Sequence, residues 1–447
     1  MTSSYSSSPS ATITLLNSPI YRDATRSDEN YLPALGLGYI ATALRAAHIG
    51  VELVDCVSER LGVMDALRVI EESQPDWVGL NVFSQNLEIV REIVARMPSA
   101  TKIMIGGPAA GGLYPHLLRW RESGELAVVV GEADFIAADL VRGTIREPAR
   151  YVDGDRRVFV VDKASIYFPR DLGQTKLDHS LLKRELVINH FGMQEASIIT
   201  SRGCPYNCAY CGAARDMNRD TLTRIRLPHD IRLEIDELRD LHPQLGSIRI
   251  LDDLFLRNRA SFSVATGVFS AVAALEWRAM AHVLPVTRSI DLLPDIKLSG
   301  CRELFIGIES GSPGVRQAIN KQGAVEDVYK AVTSLMELGI DVKGYFICGF
   351  PGENERDCDF TLRLAERIKA ASAGLAGSFR PSVFQFRPYH GTRLYDDLVD
   401  KGVPVGPIVP NPRPDTPSRA QFNFHAGNFS SISDERLAWY IRRIQQL

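Results

Sequence analysis

Short apolar runs alternate with helix-length amphipathic stretches along most of the chain. "TITLL" (12–16), "VELVD" (51–55), "WVGLNVF" (77–83), "KIMIGG" (102–107) and "LAVVVGE" (126–132) form a first set. "GLGYIATALRAAHIG" (36–50) lies between the first two and predicts a helix with Gly50 as its stop. Apolar runs of about five residues separated by helical segments predict a parallel sheet covered on both faces. Residues 12–142 therefore read as a Rossmann-like open α/β domain. Such sheets present a ligand crevice at the C-terminal ends of their strands, and Gly106-Gly107-Pro108 and Gly131-Glu132 follow two of those ends.

Residues 143–190 are charged and carry turn signals at Asp153-Gly154, Pro169 and Gly173, which predicts a hairpin and a linker. The alternation then restarts, and 191–400 reads as a second domain. "ASIITSRGC" leads into a cysteine-rich loop, and "SIRILDD" (247–253), "WRAMAHV" (277–283), "ELFIGIES" (303–310), "DVKGYFICG" (341–349) and "SVFQFRPY" (382–389) are its further strands. Helical stretches such as "PHDIRLEIDELRDLH" (228–242) and "EDVYKAVTSLMELG" (326–339) separate them. Six β/α units fit a partial (β/α)6 barrel, with chemistry at the C-terminal strand ends. Residues 401–447 read as a Pro-rich extension followed by a helix, with Ser433 as N-cap and Leu437, Ile441, Ile444 and Leu447 on one face. Residues 1–11 read as a disordered polar tail.

Bulk composition narrows the function classes. A chain of 447 residues is too long for one ordinary core. Its 45% hydrophobic and 23% charged residues are those of a soluble globular protein, and a net charge of −3 gives no nucleic-acid-binding surface. No apolar run of about 18 residues predicts a membrane span, and "MTSSYSSSPS" lacks the basic start and apolar stretch of a signal peptide. A reducing cytoplasm is the expected compartment. Clustered cysteines there read as metal ligands or catalysts before disulfides.

The cluster is "SRGCPYNCAYCGAA" (201–214), which holds three of the seven cysteines as Cys204-x3-Cys208-x2-Cys211. A structural zinc site takes four ligands, usually as two pairs, and the remaining cysteines, at 56, 301, 348 and 358, are solitary. A redox pair at 208 and 211 leaves Cys204 unexplained. A four-iron cube held by three thiolates keeps one iron open for a substrate or cosubstrate.

The pattern of Cys204, Cys208, Tyr210 and Cys211 resembles the radical S-adenosylmethionine (SAM) signature. "LDDLF" (251–255), "LFIGIESGS" (304–312), "CGFPGEN" (348–354) and "RPYHGTRLY" (387–395) follow in the order seen in that superfamily. The resemblance implies that Cys204, Cys208 and Cys211 bind a [4Fe–4S] cluster whose open iron chelates SAM. It places Tyr210 near the adenine and Glu309 and Ser310 at the ribose or amino group. Gly349 and Gly352 would admit backbone close to the ligand. It further implies an external one-electron donor, such as flavodoxin or ferredoxin, and reductive cleavage of SAM to a 5′-deoxyadenosyl radical that abstracts hydrogen from a substrate.

An α/β domain before the barrel resembles the cobalamin-binding subgroup, through "YLPALGLGYIATALRAAHIGVELVD" (31–55), "PDWVGLNVFS" (75–84), "IMIGGPAA" (103–110) and "VVVGEADF" (128–135). No Asp-x-His-x-x-Gly marks a cobalt ligand, and Ala109-Ala110 stands where many members have His. Methylthiotransferases, with three further N-terminal cysteines, are set aside because only Cys56 lies in that domain. Compact length and the missing cobalt ligand favour a cobalamin-independent enzyme. The implied reaction is that of the radical diol dehydratases of aminoglycoside antibiotic biosynthesis, with a separate reductase as a further partner. The alternative is a cobalamin-dependent methyltransferase acting on a natural product. A cationic amino-sugar needs carboxylates, for which Asp252 and Asp253 are the candidates for a substrate or proton-transfer role, with Glu353 beside them and His282 and Arg288 behind. Cys348 is left open between hydrogen donor and core residue. A third, non-enzymatic reading is a degenerate cluster protein that senses iron or redox state.

Overall fold

The protein is described by a computed structural model covering residues 11–23, 31–215, 217, 223–272, 274–410 and 424–447. It divides into two compact units, residues 1–185 with 409–424 and residues 186–408 with 425–447.

The first unit is built on a seven-stranded sheet. Its strands are β1 (Thr12–Asn17), β2 (Gly50–Asp55), β3 (Trp77–Asn81), β4 (Lys102–Gly106), β5 (Leu126–Gly131), β6 (Tyr151–Asp153) and β7 (Arg156–Val161). Their spatial order is β2-β1-β3-β4-β5-β7-β6, parallel except for β6. The order reverses between β1 and β3, which is where an open α/β sheet has its crevice. Val78, Leu80, Ile103, Ile105 and Val128 are fully buried on one face. Both faces are covered, which is why these strands read as unbroken apolar runs.

Two expectations change here. The first helix runs Leu35–Ala46 and stops before Gly50, because His48 takes the left-handed turn (φ +56°) and Gly50 already opens β2. The hairpin in 143–190 exists as β6 and β7, and it enlarges the sheet from five strands to seven, β7 pairing parallel with β5. Two arginines open "RRVFVV", so the run begins with charge and hides its sheet partner.

The second unit is a curled partial barrel. Before it come β8 (Val187–Ile188) and β9 (Gln194–Ile198), then a small ribbon of β10 (Ser201–Arg202) and β11 (Arg224–Ile225). The barrel continues through β12 (Ser247–Ile250), β13 (Glu276–Ala281), β14 (Cys301–Glu309), β15 (Asp341–Cys348) and β16 (Phe379–Gln385). The order is β16-β15-β14-β13-β12-β9-β8, six parallel strands with the antiparallel β8 at one edge. β16 starts three residues before its predicted place and contains Pro381, which an edge strand tolerates.

Alternation along these strands separates an outer from an inner face. Outward residues such as Ala196, Ile248, Trp277, Ile306, Val342 and Phe346 pack in one apolar core with the surrounding helices. The inward set begins with charge at the N-terminal ends. Arg278 Nε donates to Glu195 Oε2 (2.6 Å) and its Nη1 to Glu303 Oε2 (2.9 Å), while Arg380 Nη2 donates to Glu303 Oε1 (2.5 Å). Asn189 and Ser247 donate to Glu195 as well. This buried floor closes the lumen with matched ions.

The closing helix is Asp434–Gln445, where Ser433 Oγ accepts from Arg436 N (3.3 Å) and Leu437, Tyr440 and Ile444 are buried. The polar tail at 1–10 and the Pro-rich residues 411–423 lie outside the described residues. Among the described residues, no helix is long and apolar enough to cross a membrane.

Candidate active site

The cysteine loop leaves the C-terminal end of β9 and is pinned from three directions. Thr200 donates through N and Oγ1 to Asp252 (2.7 and 2.6 Å), and Ser201 Oγ donates to the same carboxylate (2.5 Å). Gly203 N donates to Asp253 Oδ2 (3.1 Å). Farther along, Ala209 N donates to Ile319 O (2.9 Å), Asn320 Nδ2 to Asn207 O (2.7 Å) and Leu394 N to Ala209 O (3.0 Å). The acidic pair expected at the substrate is thus spent on holding this loop. Asp252 is buried with both oxygens occupied, and its burial outweighs those bonds and raises its pKa.

Segment 309–321 brings a second group to the loop. The β14–β15 register shifts between Gly307 and Glu309, and Glu309 takes a left-handed backbone (φ +63°). Its carboxylate folds back over Gly307, where an added Cβ would sit 2.3 Å from Glu309 Oε1 and 2.9 Å from Lys321 Nζ. Lys321 Nζ donates to Glu309 Oε1 at 3.0 Å. Burial opposes the Lys321 charge, but Glu309 and Cys208 outweigh it and hold the pKa above its ordinary value. The Tyr210 hydroxyl is hydrogen bonded to Glu309, and burial followed by that carboxylate raises its pKa well above normal. Tyr210 also meets Phe350 edge-on at 5.6 Å.

The remaining predicted residues sit nearby in different roles. Ser310 is buried, with Oγ 3.0 Å from Thr361 Oγ1 and accepting from Ser312 N (3.1 Å), so its hydroxyl ties strand end to helix. Gly349 and Gly352 both need left-handed backbone (φ +91° and +78°). Glu353 Oε2 accepts from Gly349 N (2.5 Å) and Phe350 N (3.2 Å), its Oε1 is buried with no hydrogen-bond partner, and burial pushes its pKa up to about 7. Glu353 therefore closes this loop. His282, at the end of β13, stacks on Tyr206 at 3.9 Å, and its Nδ1 accepts from Leu284 N (3.2 Å). That leaves the proton on Nε2, which is buried without a hydrogen-bond partner. Burial, then Lys321, Arg316 and Arg288, pushes the His282 pKa down to about 3. Arg288 caps the short helix Val283–Thr287. Cys348 is fully buried in the barrel core.

A chain with this loop and barrel has known counterparts. The radical SAM superfamily profile matches residues 198–365, and that of the B12 binding domain matches residues 21–141. The chain thus carries a radical SAM domain and a B12-binding domain. An uncharacterized methyltransferase of Pyrococcus horikoshii, PH0819, is 26% identical over 377 residues, 81% of this chain and 78% of that protein. The radical SAM methyltransferase TsrM from Kitasatospora setae, solved with its tryptophan substrate and a SAM analogue, superposes with a TM-score of 0.66 at 16% identity, covering 98% of this chain and 89% of TsrM. OxsB, a cobalamin-dependent radical SAM enzyme solved with aqua-cobalamin and SAM, gives 0.65 at 16%, covering 94% of this chain and 64% of OxsB. At such identities the two structures establish a shared fold.

Radical SAM chemistry uses a [4Fe–4S] cluster and SAM, and the loop's donor set suits the cluster. All three thiols are free, and each interacts electrostatically with another, so they face a common space. Burial pushes Cys204 up to about 11 and Cys211 up to about 12. Thiols so shielded favour the thiolate only when a metal takes the proton's place. Lys321 adds a cation beside Cys208.

Lys321 and Tyr206 escaped the sequence reading. Lys321 lies in a turn with no periodic signal, and only the chain's return to the cysteine loop gives it meaning.

Proposed function

We propose that this radical SAM enzyme is a cobalamin-dependent methyltransferase acting on a small molecule. The observation that carries this is the matched B12-binding unit with its open strand-end crevice on the same chain as the cysteine loop. The methyltransferase relative spanning most of the chain supports it. This was the second of the two enzyme readings drawn from sequence. The dehydratase reading rested on compact length and the missing cobalt ligand, and the carboxylates offered for its amino-sugar, Asp252 and Glu353, are occupied with backbone and hydroxyl groups. Asp253 likewise accepts from the loop amide of Gly203.

The rim of the first sheet suits a broad, flat ligand. Small residues, Gly107, Ala109, Ala110 and Gly111, follow β4, and Asn17 and Asn81 are bridged (2.7 Å) at the switch point. No histidine follows β1, β3, β4 or β5 within that rim, so the rim would offer a bound cobalamin no imidazole. Cobalamin and the SAM-bound cluster would supply methyl transfer and radical generation. The chain's own part is to hold Glu309 and Lys321 at the SAM site, pack Tyr210 against Phe350, and shut water out with the barrel. An external one-electron donor, flavodoxin or ferredoxin in type, serves as partner.

Anaerobic reconstitution with hydroxocobalamin, desalting and cobalt analysis test the reading. Stoichiometric cobalt is expected, with a cob(II)alamin electron paramagnetic resonance spectrum free of protein-nitrogen coupling. Cobalt-free protein with a full complement of iron overturns it.

A further inference from the structure

We propose that the barrel lumen takes its substrate as an uncharged, flat, ring-bearing body that presents a hydrogen-bond acceptor to the Nε2–H of His282. This deepens the methyltransferase reading and rests on it for the nature of the reaction only.

Above the ionic floor the inward positions turn apolar. Each of the six parallel strands, or the residue just past its end, brings one such side chain to this level: Ile199, Leu251, Met280, Phe305, Tyr345 and Phe384. Their chain neighbours Ile198, Ile250, Ala281 and Phe346 pack in the outer core, so by alternation these six face the lumen. Met280 and Phe305 are register partners. Phe305, Tyr345 and Phe384 continue as a wall of rings, with centroids 6.2 and 5.8 Å apart. All six except Phe305 are partly exposed. Apolar surface left open inside a barrel is surface that a ligand can cover, and a row of rings suits a flat body.

The charges around this level are turned against the rings or against one another. Arg249 and Arg278 lie over Phe305 (5.0 and 5.4 Å), Lys343 over Tyr345 (5.4 Å) and Arg387 over Phe384 (5.7 Å). Glu195 and Glu303 are bonded to Arg278 and Arg380 in the floor, and Glu309 at the mouth is bonded to Lys321. A charged substrate would either break into these pairings or lie unpaired against apolar side chains, and both are costly. A neutral body meets neither cost.

His282 supplies the polar contact. It stands two residues beyond Met280 on the same inward face and is 5% exposed. Its ring is fixed on both sides, stacked on Tyr206 (3.9 Å) and accepting through Nδ1 from Leu284 N (3.2 Å). Its Nε2 therefore carries the proton, and that donor is buried without a hydrogen-bond partner. Such a donor costs free energy that an arriving acceptor returns.

Anaerobic calorimetric titration of the reconstituted, unreduced enzyme with SAM bound provides the test. The probes share one skeleton: 1-indanone, indane, indane-1-carboxylate and 1-aminoindane. 1-Indanone is expected to bind about threefold to tenfold tighter than indane, and about tenfold or more tighter than either charged analogue. His282→Asn keeps an acceptor for Leu284 N but loses the distant donor, and it is expected to erase the preference for 1-indanone over indane. His282→Gln, which can present a donor there again, is expected to keep part of it. Phe384→Ala should weaken both neutral probes at least threefold and leave their ratio alone. SAM titration of the same samples confirms a folded site. A charged analogue binding as tightly as 1-indanone, failure of both neutral probes to bind, or a preference unchanged in His282→Asn overturns the proposal. Cobalt is assayed on the same protein, so cobalt-free protein that still selects 1-indanone separates failure of the methyltransferase reading from failure of this one.

Discussion

The two seven-stranded sheets use their faces differently. In the first unit both faces of the central strands are apolar, and the ligand crevice is left to the rim, where Gly107 and Asn81 stand. In the barrel the outer face is continuously apolar, and the inner face mixes charge with aromatic rings from floor to mouth. A sheet covered by helices on both sides can offer chemistry only at its ends. A sheet curled on itself can offer it along its whole inner face. The barrel's deepest inward ions, Glu195, Arg278, Glu303 and Arg380, are matched to one another and hold the fold.

The largest expected effect falls on the cysteine loop. Cys208→Ala removes one of the three thiols that would hold the cluster, and iron content is expected to collapse together with reductive SAM cleavage, read by iron analysis and 5′-deoxyadenosine formation. Far-ultraviolet circular dichroism should stay close to the parent's. A variant that keeps its iron would dismiss the ligand assignment.

The floor should answer in stability instead. Arg278→Met strands Glu195 and Glu303 without their shared guanidinium, and breaking a buried pair this way costs about 3–5 kcal/mol. Lys183→Met, which loses only an exposed pair with Glu59 in the first unit, is expected to cost less than about 1 kcal/mol. Urea unfolding of the two variants breaks the comparison if their losses are equal.

At the mouth, Glu309→Gln is expected to weaken SAM binding by roughly 10- to 100-fold, the range for a charged hydrogen bond. Lys321→Met should weaken it too, and the double variant by less than the product of the two, because the side chains share one contact (3.0 Å). Equilibrium dialysis with SAM under anaerobic conditions reads this, and strict additivity would separate the pair.

What was legible in the sequence follows the same division. Continuous apolar runs such as "KIMIGG" and the cysteine spacing announce themselves locally, and strands and loop lie where those signals put them. Arg249, Arg278 and Lys343 were also in plain view, as charges at every second position of otherwise apolar strands. Their inward direction depends on the sheet's curl, which no local pattern encodes. Asp252 and Glu353 misled for a related reason. A carboxylate at a strand end looks the same in sequence whether it faces a substrate or, as here, the amides and hydroxyls of its own loops.

The smallest effect sharpens the comparison between floor and rim through pH. Burial pushes His190, beside the floor, down to about 4 from its ordinary 6.5. Between those values the unfolded chain binds the extra proton, so His190 makes stability rise with pH and fall on acidification. Glu353, closing the rim loop, is pushed by burial up to about 7 from 4.5. There the folded chain holds the extra proton, so Glu353 makes stability fall as pH rises through that window. The two slopes oppose each other between about pH 4.5 and 6.5, and each is exposed by removing the other. Glu353→Gln keeps an acceptor for Gly349 N and Phe350 N and abolishes the titration. Relative to the parent, its stability is expected to improve by about 1–3 kcal/mol on going from pH 5 to pH 8. His190→Asn should show the opposite differential, gaining on the parent as pH falls from 6.5 to 4.5. Because each is a difference from the parent at the same pH, acid sensitivity of the cluster cancels. Parallel pH profiles for parent and Glu353→Gln would mean that the carboxylate titrates normally and that the rim loop does not bury it.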